Sequence, residues 1–379
     1  MSRIYLDHAA TTALAPQVLQ AMLPYLSRVF GNPSSAHQEG REARQAVDRA
    51  RKQVAGTLNA RPGEIYFTSG GSEGDNWAIK GCAFAHQAEG RHIITTAIEH
   101  PAVLNTCAWL EKQGFQVTYL QPDEVGRIRP EQVEEAITRE TILISIMCAN
   151  NEIGTLQPIR EIGHLARSRG ILFHTDAVQA VGAVPLDVEA LQVDLLSLSG
   201  HKLGGPKGTG ALYIRRGVHI DSLISGGEQE KGLRAGTENL AGIVGLGQAM
   251  ELAGQSLEER NRSVAALRDF LLEGLLEKIP TAVLNGPREG RLPNNLNLSF
   301  PGTDGESLLL QLDMRGIAAS YGSACTSGSR SPSHVLRAIG AGPERLNTAL
   351  RLTLGAENTR EEMERVLEIL PEIVKKSFP

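Results

Sequence analysis

The chain has 379 residues, 41% hydrophobic and 21% charged, with a formal net charge of −5. That composition is globular, the length points to two domains rather than one core, and the slight acidity argues against a dedicated nucleic-acid or membrane surface. No apolar run approaches the roughly 20 residues needed to cross a bilayer. The opening "MSRIYLDHAATT" has neither the basic-then-apolar profile of a signal peptide nor the profile of a transit peptide, so a cytoplasmic protein is expected.

In chain order, β-branched apolar runs of strand length fall at 64–69, 92–97, 115–120, 141–147, 171–176, 193–199 and 210–216. Helical periodicity fills several of the gaps, as in "EQVEEAITRE" and "IREIGHLARSR". Strands alternating with helices predict βαβ units and a mainly parallel, doubly wound seven-stranded sheet. A short loop precedes the last strand, which admits an antiparallel turn. After about residue 255 the composition changes. A long charged helix, "SLEERNRSVAALRDFLLEGLLEKI", leads to "NNLNLSF", a helix near "GESLLLQLDM", a strand-like "RLTLG" and a final helix, the pattern of a smaller α+β domain. The chain start is expected to pack beside it. The division that follows is 16–255 for a large domain, and 1–15 with 256–379 for a small one. No internal repeat or low-complexity tract occurs.

The four cysteines, Cys82, Cys107, Cys148 and Cys325, form no C-x-x-C pair and have no histidine at zinc-ligand spacing, so free thiols in a reducing compartment and no metal are expected. Three sit in apolar settings and read as small core residues. Cys325 does not: "SYGSACTSGSRSPSH" is rich in Gly and Ser and reads as a mobile loop.

In open parallel sheets, ligands lie beyond the carboxyl ends of the strands. After the first run comes "GGSEGDN", where Gly70 and Gly71 allow close backbone approach to an anion and Ser72 with Asp75 spells an S-x-x-D capping box. The fifth run delivers Asp176, with Gln179 close behind, and the sixth delivers Ser199, His201 and Lys202. Taken singly, each reads as a helix cap or a solvated charge. Together they supply an anion cradle, a carboxylate and an amine, the set that pyridoxal phosphate (PLP) requires. The cofactor is an electron sink while its ring nitrogen is protonated, and a carboxylate keeps that proton in place. Lys207, in "GPKGTG", is the competing amine. Lys202 is preferred because it lies nearer the strand end.

The chain resembles the cysteine desulfurases of the class V, fold type I PLP enzymes. "YLDHAATT", "GNPSSAH", "TSGGSEGDN", "EHPAV", "NNEIGT", "HTDAVQAVG", "SGHKLGGPKG", "RAGTEN" and "GSACTSGS" occur in family order over nearly the whole length. The resemblance implies that Lys202 carries the cofactor, Asp176 pairs with its pyridinium nitrogen and Gln179 bonds its phenolic oxygen. His100 would stack on the ring and help move protons. Gly71, Ser72, Ser199 and His201 would hold the phosphate, with Thr237 reaching it from the partner subunit of a homodimer. Asn151, beside the cofactor, and Arg351 would bind the substrate, Arg351 by a bidentate grip on its carboxylate. The family usually reads "SGATE" where this chain has "SGGSE", a change that keeps a hydroxyl and a backbone N–H. His8 reads equally as an active-site wall or a core residue, His37 is undecided, and His174, inside a buried run, reads as structural.

The same resemblance makes Cys325 the thiol that takes sulfur from L-cysteine, leaving L-alanine and a persulfide that passes to a sulfur-acceptor protein, either an iron-sulfur cluster scaffold or a tRNA-thiolation enzyme. Attack needs the thiolate, and His100 is the candidate base. A selenocysteine lyase, or another class V lyase or aminotransferase that does not need Cys325, is the alternative.

Overall fold

A computed structural model describes residues 3–321 and 332–377. Among the described residues twelve strands run in chain order: β1 (Ile4–Tyr5), β2 (Ile65–Thr68), β3 (His92–Thr96), β4 (Gln116–Leu120), β5 (Thr141–Ser145), β6 (Leu172–Asp176), β7 (Leu195–Ser199), β8 (Gly210–Ile214), β9 (Val283–Leu284), β10 (Asn295–Ser299), β11 (Ile317–Ala318) and β12 (Ala349–Thr353). The seven strands expected between 64 and 216 form one sheet, ordered β2-β8-β7-β6-β5-β3-β4. β3 to β7 pair in parallel, and β8 is antiparallel to both β7 and β2. The connection 200–209 contains no crossover helix, and only a crossover returns a chain to a parallel strand.

The central strands are buried on both faces, which is why they read as continuous apolar runs rather than alternating ones. Successive residues face opposite layers. Ile94, Ile144, Leu196 and Tyr213 pack toward helices Gln38–Thr57 and Leu240–Gln255, while their neighbours Ile93, Leu143, Leu195 and Leu212 pack toward helices Gly71–Ala85 and Pro101–Glu111. A separate core joins Ile4 and Leu6 at the chain start to helices Leu257–Lys278, Gly305–Met314 and Arg360–Ser377 and to strands β10 and β12. β1 enters that unit as a parallel partner of β11. Cys82, Cys107 and Cys148 are buried free thiols, and burial pushes the pKa of Cys107 and of Cys148 up to about 12. Among the described residues no helix is long and apolar enough to cross a membrane.

His174 in β6 is fully buried, with Nδ1 2.9 Å from Ser145 Oγ and Nε2 2.9 Å from Ser197 Oγ. Burial pushes its pKa down to about 3, whereas a histidine in the unfolded chain titrates near 6.5. Between those values the unfolded state binds the extra proton, so stability falls as the pH falls. We predict that this group alone removes about 1.4 kcal/mol of unfolding free energy per pH unit below about 6.5, and that His174→Gln lacks this component. Denaturant titrations at pH 7 and pH 5 measure it, and an equal pH dependence in the two proteins would refute it.

Candidate active site

The residues singled out above gather where the parallel strands end. β2 runs into Gly70, whose φ of 154° is open to glycine and starts helix Gly71–Ala85 abruptly. A Cβ on Gly71 would lie 2.5 Å from Val178 Cγ2, so only glycine lets the helix start approach the loop after β6 this closely. The first turn thus presents backbone N–H groups beside Ser199, the last residue of β7. The capping box expected of Ser72 and Asp75 does not form. Gly70 takes the cap position, Ser72 is already helical, and Asp75 turns inward to 1% exposure. Glu73 serves the turn instead, its Oε2 accepting the Ser69 N–H at 2.8 Å while Arg234 Nε donates to its Oε1 at 2.8 Å.

Asp176 closes β6, and its Oδ1 accepts the Val178 N–H at 2.9 Å. Burial raises its pKa, against the pull of His100 and Lys202. Behind it the Asp75 carboxyl is driven well above the usual carboxylate range by burial and by Asp176, and burial pushes Glu99 up to about 8. His100 caps helix Pro101–Glu111, its Nδ1 accepting the Ala102 N–H at 3.1 Å. A neutral ring in that arrangement carries its proton on Nε2.

Lys202 ends the short turn Gly200–Lys202 after β7. Its Nζ donates to the carbonyls of Ala9 and Ala10 at 2.6 and 2.8 Å, and Gln179 Nε2 donates to Ala9 O at 3.0 Å. His201 Nδ1 lies 3.1 Å from Thr11 Oγ1, and its carbonyl accepts the Thr12 N–H at 2.9 Å. Burial, with Lys202 and Lys207 nearby, lowers the His201 pKa to about 4. The segment Asp7–Thr12 therefore lies as a strap across the lysine turn. It contributes the Ala9 and Ala10 carbonyls to Lys202 and the Thr11 and Thr12 hydroxyls to His201 and Gly204. Lys207 is exposed.

Asn151 is half-buried, and its carbonyl accepts Arg351 Nη1 at 3.0 Å. Arg351, on β12, is 1% exposed, and its Nη2 donates to Asp7 Oδ1 at 2.9 Å. Thr237 is exposed, three residues beyond Arg234. His8 is buried between Thr353 O and Glu357, at 2.9 and 2.8 Å, and lines a cavity of about 760 Å³ shared with Gln179 and Lys202. His37 is an exposed cap of helix Gln38–Thr57. Cys325 lies outside the described residues. Just past that gap, Ser333 Oγ donates to Glu152 Oε2 and His334 Nε2 to Glu99 O.

These groups fit PLP: a glycine cradle at a helix start, a buried carboxylate, and an amine close enough to that carboxylate to pull its pKa down. A family model for aminotransferase class-V matches residues 4–366. The chain is 58% identical over 373 residues to a cysteine desulfurase IscS of Methanosarcina thermophila, covering 98% of this chain and 92% of that one. It is 55% identical over 376 residues to a cysteine desulfurase IscS of Clostridium botulinum (strain Hall), covering 99% and 95%. A solved NifS-like protein matches with a TM-score of 0.93 at 41% identity, over 99% of this chain and 100% of that one. The structure of SspA in complex with cysteine matches at 0.83 and 42%, over 94% and 100%. The chain belongs to the aminotransferase class-V family and, within it, to the PLP-dependent cysteine desulfurases.

Proposed function

We propose that the groups gathered around Lys202 take sulfur from L-cysteine and deliver it to Cys325. The observation that carries this reading is the convergence of Lys202, Asp176 and His100 on one sheet end beside the Gly70–Gly71 helix start. Bound PLP supplies the electron sink for bond cleavage at the substrate. Asp176 would hold the proton on the cofactor's ring nitrogen, Gln179 would bond its phenolic oxygen, and Gly71, Ser72, Ser199 and His201 would hold its phosphate. Lys202 Nζ anchors the cofactor and carries protons at the substrate's α-carbon. Arg351 and Asn151 orient the substrate by its carboxylate.

In the transfer step the Cys325 thiolate attacks the substrate sulfur. An S–S bond forms as the C–S bond breaks, the electron pair stays with the carbon skeleton, and that skeleton takes up a proton to become alanine. His100 is set to donate from Nε2, because Nδ1 is engaged by Ala102. Taking a proton from the Cys325 thiol requires that bond to open. The persulfide then passes to an acceptor protein, a cluster-assembly scaffold or a tRNA-thiolation enzyme. We assign the cofactor to a large domain, 16–255, and Cys325 to a small one, 1–15 with 256–379, in a cytoplasmic homodimer whose Thr237 reaches the partner's phosphate. The exposure of Thr237 supports that reach.

Borohydride reduction of the holoenzyme should leave a pyridoxyl adduct on Lys202. Lys202→Ala should lose turnover, and mixing it with Thr237→Val should restore part of it through hybrid dimers. An adduct on Lys207, or no recovery on mixing, would remove the first or the second assignment. Cys325→Ala should keep the cofactor's visible absorbance but fail to release alanine efficiently. After the wild type reacts with L-cysteine without reductant, mass spectrometry should place the added sulfur on Cys325. Sulfur mapping to Cys82, Cys107 or Cys148 would overturn the transfer route.

A further inference from the structure

We propose that Asp7 is a positioning and specificity residue for the substrate carboxylate, acting through Arg351. The inference rests on the reading of Arg351 as the group that grips that carboxylate. Arg351 does not wait as a lone cation. It is 1% exposed, its Nη2 is fixed on Asp7 Oδ1 at 2.9 Å and its Nη1 on Asn151 O at 3.0 Å. Its Nε is buried and finds no hydrogen-bond partner among the described residues. A buried guanidinium donor without an acceptor is a place for one.

Asp7 is itself held rigidly. It bridges to Thr353 beside Arg351 on β12, and its carbonyl accepts the Ala10 N–H at 2.9 Å and the Tyr5 hydroxyl at 3.1 Å. Two and three residues on, the same strap gives Lys202 its carbonyl partners. One short segment therefore sets both cations that a substrate amino acid would meet.

The Asp7 carboxylate acts on Arg351 in two opposed ways. As an acceptor it fixes the plane of the guanidinium, which favours a two-point grip on a ligand carboxylate. As an anion it already neutralises the guanidinium, so a ligand carboxylate enters as a second negative charge and gains less. That second effect keeps affinity moderate. The product alanine carries the same carboxylate as the substrate and has to leave.

The two effects separate by substitution. Asp7→Asn keeps the acceptor oxygen and removes the charge, whereas Asp7→Ala removes both. Calorimetric titration of the holoenzyme with L-alanine and with L-alaninamide, which lacks the carboxylate, reads them out. Asp7→Asn should bind L-alanine about threefold more tightly or better, with L-alaninamide unchanged. Asp7→Ala should bind L-alanine about threefold more weakly or worse, because the guanidinium loses its anchor. Unchanged or weaker L-alanine binding in Asp7→Asn, with native circular dichroism, would overturn the proposal, as would an equal gain for the amide. Arg351→Gln separates the two readings. If it leaves L-alanine affinity unaltered, the carboxylate grip is elsewhere and both fall. If it weakens L-alanine while Asp7→Asn fails to tighten it, only the role of Asp7 falls.

Discussion

A carboxylate buried at the end of a strand is the constraint around which this site is arranged. Asp176 is 6% exposed, and an ionised carboxylate taken out of water is costly unless paired and hydrogen-bonded. The chain meets that need locally with the Val178 N–H, and through space with Lys202 and His100. Two further carboxyls, Asp75 and Glu99, lie close enough to feel Asp176, and burial drives both toward the protonated form. The outcome is a cluster of three acids in which the one at the strand end is best placed to keep its charge. A cofactor nitrogen that has to stay protonated needs such a partner.

The second organising element is the strap Asp7–Thr12, which continues directly from residues packed in the other hydrophobic core. Ile4 and Leu6, just before it, are buried with β10, β12 and the C-terminal helices. The strap then crosses to the lysine turn and holds it through Ala9 and Ala10. The chain start thus ties the unit that carries Arg351 to the sheet that carries Lys202 and Asp176. Displacing that segment would disturb the amine and the guanidinium together.

Much of this was legible in the sequence because burial is strict where it matters. Strands covered on both faces cannot hide in a polar pattern, and the runs around Ile94, Ile144 and Leu196 marked themselves by continuous apolar, β-branched character. Asp176, Ser199 and Lys202 were singled out for a related reason: Asp176 and Ser199 close such runs, and Lys202 follows one within three residues. What stayed hidden depends on backbone or on distance. Asp75 has the spacing of a capping residue, but Gly70 caps the helix two positions before Ser72, so Asp75 falls in its second turn with its side chain turned inward. Ala9 and Ala10 hold Lys202 only through their carbonyls. Asp7 and Arg351 are 344 positions apart, and nothing local to either announces the pair.

The charge of Asp176 is what the site depends on, and one variant tests it directly. Holo Asp176→Asn has nearly the same shape and lacks the negative charge. Its cofactor content, read by visible absorbance, and its alanine production from L-cysteine should be measured together, with circular dichroism confirming the fold. The account predicts that the cofactor is retained and that turnover falls by about a hundredfold or more. Turnover within a few-fold of the wild type, with the cofactor retained, would contradict it.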